Sequence, residues 1–97
     1  MKRRQAISIL DARCADIMRQ FGVRHLSLFG STARDEARDD SDVDILVEFN
    51  PPPTFDRYIG LLAYLERLLG RKVDLLTNSG LKPRARPHIE KDLVRVA

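Results

Sequence analysis

The stretch from Asp42 to Phe49, DVDILVEF, alternates with a period of two, and that period belongs to a β-strand. Successive strand side chains leave opposite faces. Val43, Ile45, Val47 and Phe49 therefore share one face, and Asp42, Asp44, Leu46 and Glu48 share the other. The apolar face requires another layer to cover it. The acidic face sets two carboxylates close together at the mouth of a hydrophobic strand, where repulsion and desolvation raise their pKa values and oppose folding. A divalent cation reverses that penalty, and hard oxygen ligands match Mg2+. The strand predicted over Val43–Phe49 thus carries a candidate metal site, and such a metal would carry a nucleoside triphosphate.

The remaining pattern supplies the covering layer. Ile7, Leu10, Cys14, Ile17, Met18 and Phe21 recur at helical spacing and predict an amphipathic helix over 4–20, ending near Gly22. Cys14 falls on its buried stripe as a small core thiol. Val23–Phe29 predicts a short strand closed by Gly30. Ser31 and Thr32 are good N-cap types, so TARDEAR, residues 32–38, predicts a short helix. The central strand stops at NPPP, and a helix is predicted over Phe55–Leu69 with Gly70 as its stop. Its apolar side is wider than one sheet contact needs, which leaves a spare edge for a protein partner. Lys72–Thr77 predicts a third strand with Asp74 and Leu76 on one face, and a last short helix is predicted from about His88 to Val96. The order α-β-α-β-α-β-α predicts an α/β (α+β) fold. It is a small mixed sheet of three to four strands with helices on one face, in a single domain over 1–97.

Composition narrows the function classes. With 43% hydrophobic and 32% charged residues over 97 positions, the chain is large enough for one core and unlike a disordered one. Its net charge is only +3 and its charges are interleaved in sign; KPRAR, residues 82–86, is the densest basic stretch. Direct nucleic-acid binding is not expected from such a pattern. Cys14 is the single cysteine, which excludes an internal disulfide and fits a reducing compartment. The apolar run after MKRR is broken by Asp11, Arg13 and Asp16, so neither a signal peptide nor a membrane span is expected. A cytoplasmic location follows as the expectation. His25 and His88 have no ligand spacing that suggests zinc.

Two further features converge on the acidic strand. Asp74 lies early on the third strand in the same in-out phase; if the strands are neighbours, it provides a third carboxylate. Three carboxylates can hold two metal ions, which clamp the attacking and leaving oxygens in phosphoryl and nucleotidyl transfer. Gly30 lets the backbone turn sharply near a ligand. Ser31 opens a helix whose free N–H groups favour phosphate, and Arg34 and Arg38 can reach anionic oxygens from the same region.

Taken together, FGSTARDEARDDSDVDILV resembles the signature of the minimal nucleotidyltransferases, the small branch of the DNA polymerase beta-like superfamily. The likeness runs over nearly the whole chain, from the first helix through LFGS and SDVDILV to KVDLLT. It implies that Gly30 and Ser31 hold the triphosphate of ATP, with Arg34 beside them, and that Asp42 and Asp44 coordinate Mg2+. Asp74 would complete a site for two magnesium ions and help deprotonate an acceptor hydroxyl. That hydroxyl would attack the α-phosphorus and release pyrophosphate. Larger relatives carry a further domain for the acceptor. Ninety-seven residues leave no room for one, so a partner protein is expected to present it. Stand-alone members are similar to antitoxins paired with a HEPN-domain ribonuclease toxin, which implies transfer of AMP to a toxin tyrosine. One departure stands out: the family usually has glycine where this chain has Asp35. Asp tolerates left-handed backbone better than most residues, but its charge would oppose phosphate. The competing expectation is a non-enzymatic antitoxin that masks its partner by stoichiometric binding.

Overall fold

The computed structural model describes residues 1–52 and 54–97. Its elements are α1 (Arg3–Phe21), β1 (Val23–Phe29), α2 (Gly30–Ala33), β2 (Val43–Phe49), α3 (Phe55–Leu69), β3 (Val73–Thr77), α4 (Arg86–Glu90) and β4 (Val94–Arg95). They build a mixed four-stranded sheet in the order β3-β2-β1-β4. β1 pairs antiparallel with both β2 and β4, whereas β2 and β3 run parallel. The expected mixed sheet is therefore present, with β4 as its fourth strand.

Alternation decides the layers. Leu26 and Leu28 of β1, Val43, Ile45 and Val47 of β2, and Val73 and Leu75 of β3 lie opposite one another in register and are buried. α1 covers them through Ala6, Leu10 and Ile17, and α3 through Leu61, Leu65 and Leu69. Both helices end where expected, at Gly22 and Gly70 in left-handed conformation. Thr54 caps α3 by accepting the Arg57 N–H at 3.2 Å. Phe21 and Tyr64 meet edge-to-face at 5.3 Å between ring centres, tying the two helices together. Cys14 is half-buried with its Sγ 3.7 Å from Met18 Sδ, in keeping with a packing role. The spare apolar edge of α3 is also real: Phe55 and Ile59 stay exposed, at 76% and 44%.

Two expected helices are corrected. α2 spans only Gly30–Ala33 instead of 32–38, and Phe29 occupies its N-cap position without a side-chain bond. Thr32 is fully buried and so caps nothing, while Asp35 turns left-handed at φ 61 and ends the helix. The helix expected from His88 to Val96 is instead the short α4 followed by β4. Val94 and Arg95 are a strand because Leu28 and Ser27 of β1 pair with them, a partnership no local pattern announces. The segment from Asn78 to Leu93 consequently crosses from one sheet edge to the other. It runs over the second face, where Leu93, Arg95 and Asn78 border the same depression as Ser27, Leu46 and Glu48.

Candidate active site

The second sheet face carries the acids. Asp44 of β2 is the direct register partner of Asp74 on the parallel strand β3, and of Phe29 on β1. Neighbouring strands lie about 4.8 Å apart, so side chains at positions 44 and 74 leave the sheet side by side. Asp42 sits just before β2, exposed and in the same phase. Asp44 is half-buried. Its carboxyl lies above the ordinary carboxylate range, chiefly through burial and then through the charges of Asp74 and Asp42, while Arg34 pulls it down. The three carboxylates thus share one electrostatic field, as a cation site requires.

Gly30 reaches the same spot from the other side. Its φ is 69, and a Cβ built there would overlap Asp44 Oδ2 and stand 3.0 Å from Asp44 Cγ. Only glycine meets both conditions, positive φ and backbone packed against a carboxylate. The turn closes through Arg34 N–H to Gly30 O at 3.1 Å and Glu36 N–H to Ser31 O at 2.8 Å. The first N–H groups of a helix have no partner inside it, and no side chain caps α2. Ser31 is half-buried beside them. The hydroxyl of the neighbouring buried Thr32 has no hydrogen-bond partner.

The arginines behave differently from the acids. Arg34 Nη1 donates to Asp92 at 2.8 Å and its Nε to Glu36 at 3.3 Å; both bonds favour its charged form, Asp92 foremost. Its charge reaches Asp44, while its Nη1 and Nε are turned to carboxylates. Arg38 lies in the loop after α2, where its N–H bonds Ser41 Oγ at 2.9 Å. Asp92 went unrecognised in the sequence because its partner is 58 positions away. Glu66 and Tyr58 of α3 also support the site, and nothing in the helical pattern of α3 marks them. Glu66 Oε2 accepts the Val73 N–H at 3.0 Å and Tyr58 OH donates to Leu75 O at 2.6 Å, on either side of Asp74. His25 is at the opposite end of β1, with Nδ1 2.6 Å from Arg95 Nη2, and takes no part in the site.

The residues fit magnesium by the chemistry of the donors. Among the described residues, no three His, Cys, Asp or Glu side chains form a ready-made metal cage. Mg2+ does not require one; it is held by one or two carboxylates together with substrate phosphates and water. Hard carboxylate oxygens gathered beside a glycine turn with free N–H groups provide that kind of half-site.

The chain has recognisable relatives in sequence and in fold. The nucleotidyltransferase domain family matches residues 12–96. The protein adenylyltransferase MntA of Thermococcus cleftensis is 45% identical over 89 residues, 92% of this chain and 90% of its own. A provisionally named protein adenylyltransferase of Methanocaldococcus jannaschii is 45% identical over 80 residues, covering 79% and 80%. Among solved structures, one provisionally described as a minimal nucleotidyltransferase superposes with a TM-score of 0.82 at 33% identity, covering 97% of this chain and 95% of that one. A toxin–antitoxin complex with AMP-PNP shares the fold at a TM-score of 0.75 and 18% identity, covering 90% and 72%. So does the complex of a tri-AMPylated HEPN toxin with its MNT antitoxin from Shewanella oneidensis, at 0.68 and 16%, covering 94% and 71%.

Proposed function

This chain belongs to the nucleotidyltransferase domain family, and from that premise we propose that it transfers AMP from ATP to a tyrosine hydroxyl of a HEPN-type RNase toxin, acting as the antitoxin. The observation that carries the reading is the meeting of Asp44 with Asp74 in register and with the Gly30 turn by close packing. Asp42, Asp44 and Asp74 would hold two magnesium ions, which supply Lewis-acid stabilisation of charge developing on the phosphate oxygens. Gly30 and Ser31 bind the triphosphate through backbone N–H groups, and Arg34 contributes positive field. Asp74, on the exposed side, takes the proton from the acceptor hydroxyl. The new bond joins that oxygen to the α-phosphorus while the bond to the β-phosphate oxygen breaks and pyrophosphate leaves. We place the chain, acting as one domain, in the cytoplasm, where ATP is abundant and the thiol of Cys14 stays reduced.

The relatives named as protein adenylyltransferases and the AMPylated toxin complex support a protein acceptor. So do Phe55 and Ile59, apolar side chains exposed on α3. The test is the intact mass of a HEPN-family protein from the same genome, co-expressed with wild-type or Asp44→Asn chain. A gain in whole adenylate units only with wild type is expected; an unmodified partner in both would end the proposal. The exposed stripe also favours a second reading, masking by binding alone. Neutralisation by an Asp42→Asn, Asp44→Asn double variant equal to wild type would select it.

A further inference from the structure

The N-terminus of α1 lacks the usual means of satisfying its free N–H groups. Lys2 at the N-cap makes no side-chain bond, and no acidic residue stands in the first turn. The missing acceptor comes from 32 positions away: Asp35 Oδ1 accepts the Arg3 N–H at 3.0 Å. Arg3 replies with its guanidinium, whose Nη1 donates to Ala33 O at 3.2 Å. Asp35 N–H in turn bonds Thr32 O at 3.1 Å. One end of a 19-residue helix is thereby stitched to Ala33 and Asp35, within the turn after Ser31.

The stitch is made from an unfavourable backbone. Among the described residues, Asp35 is the one non-glycine residue with positive φ. A side chain kept in the left-handed region normally has local compensation or a task. Here the carboxylate lies at a helix N-terminus, where the helix dipole and a free N–H both favour negative charge. Held there, its charge is directed toward α1 instead of standing free beside the Gly30 turn.

We infer that Asp35 is a positioning residue: by capping α1 it fixes the Gly30–Ser31 turn against Asp44 and so sets the affinity for the triphosphate. The effect on catalysis rests on the nucleotidyltransferase reading above; the structural link does not. Three variants separate the parts. Asp35→Ala loses the bond and keeps the strain. Asp35→Gly loses the bond and relieves the strain. Asp35→Asn keeps an Oδ1 acceptor in a residue that tolerates this backbone.

The experiment combines amide hydrogen exchange at Arg3 with steady-state kinetics in ATP. Slowed exchange at Arg3 is expected in wild type and Asp35→Asn, and its loss in both other variants. The KM for ATP is expected to rise about fivefold in Asp35→Ala and Asp35→Gly, as for loss of one helix cap, with kcat little changed and Asp35→Asn near wild type. A glycine variant with wild-type KM would overturn the positioning role. Arg3 exchange unaffected in all three would overturn the cap itself, even in a preparation without transferase activity.

Discussion

Asp44 and Asp74 are register partners, yet the fold supports them in opposite ways. Asp44 sits on an interior strand, paired on one side with β1 and on the other with β3, and it is half-buried. Asp74 sits on an edge strand and is exposed. For Asp44 the backbone is secure and the difficulty is charge, since burial and two neighbouring acids raise its pKa. For Asp74 charge is relieved by water and the difficulty is a free strand edge. α3 answers with side chains: Glu66 takes the Val73 N–H and Tyr58 gives its proton to Leu75 O. Interior position stores electrostatic strain for a cation to release, whereas edge position needs outside bracing.

The largest effect tests the interior acid. Asp44→Asn is expected to lower transfer by on the order of 10²–10³-fold, the loss typical when one charge-stabilising group is removed, while the metal-free protein melts at a higher temperature. The sign follows from linkage. A carboxyl whose folded pKa exceeds its unfolded value of 3.8 destabilises the fold once pH passes the folded value, and not below the unfolded one. Metal-free wild type should therefore lose stability as pH rises through that window, and Asp44→Asn should lose less. Equal pH slopes in thermal melts would show that the strain on Asp44 is absent.

An intermediate effect probes what the interior acid leans on. Gly30→Ala puts a Cβ onto Asp44 Oδ2 in a left-handed residue. It is expected to destabilise by at least about 1–2 kcal/mol from backbone alone and to weaken ATP binding. Urea unfolding and nucleotide titration check both, and a neutral result would separate the turn from the acid.

The smallest effect sharpens the edge side. Tyr58→Phe removes one bond to Leu75 O and should cost about 1 kcal/mol, with kcat reduced more than the KM for ATP, because Asp74 is assigned to the acceptor. A fall confined to KM would move Asp74 to the nucleotide side.

Much of this arrangement was readable from local pattern. The phase of β2 and the ends of α1 and α3 at Gly22 and Gly70 appear where the residues indicated. α2 and the C-terminal segment were misread because burial of Thr32 and pairing of Val94 with Leu28 come from outside those segments. The bond from Arg34 to Asp92 likewise joins distant segments and leaves no local mark.

The sequence by itself determined which side chains share a face, because alternation is a property of each strand alone. Only the tertiary structure decided that β2 and β3 lie adjacent, parallel and with Asp44 opposite Asp74, and that Asp35 reaches Arg3. Those relations join residues some thirty positions apart, and a periodicity within one element carries no information about the element it will meet.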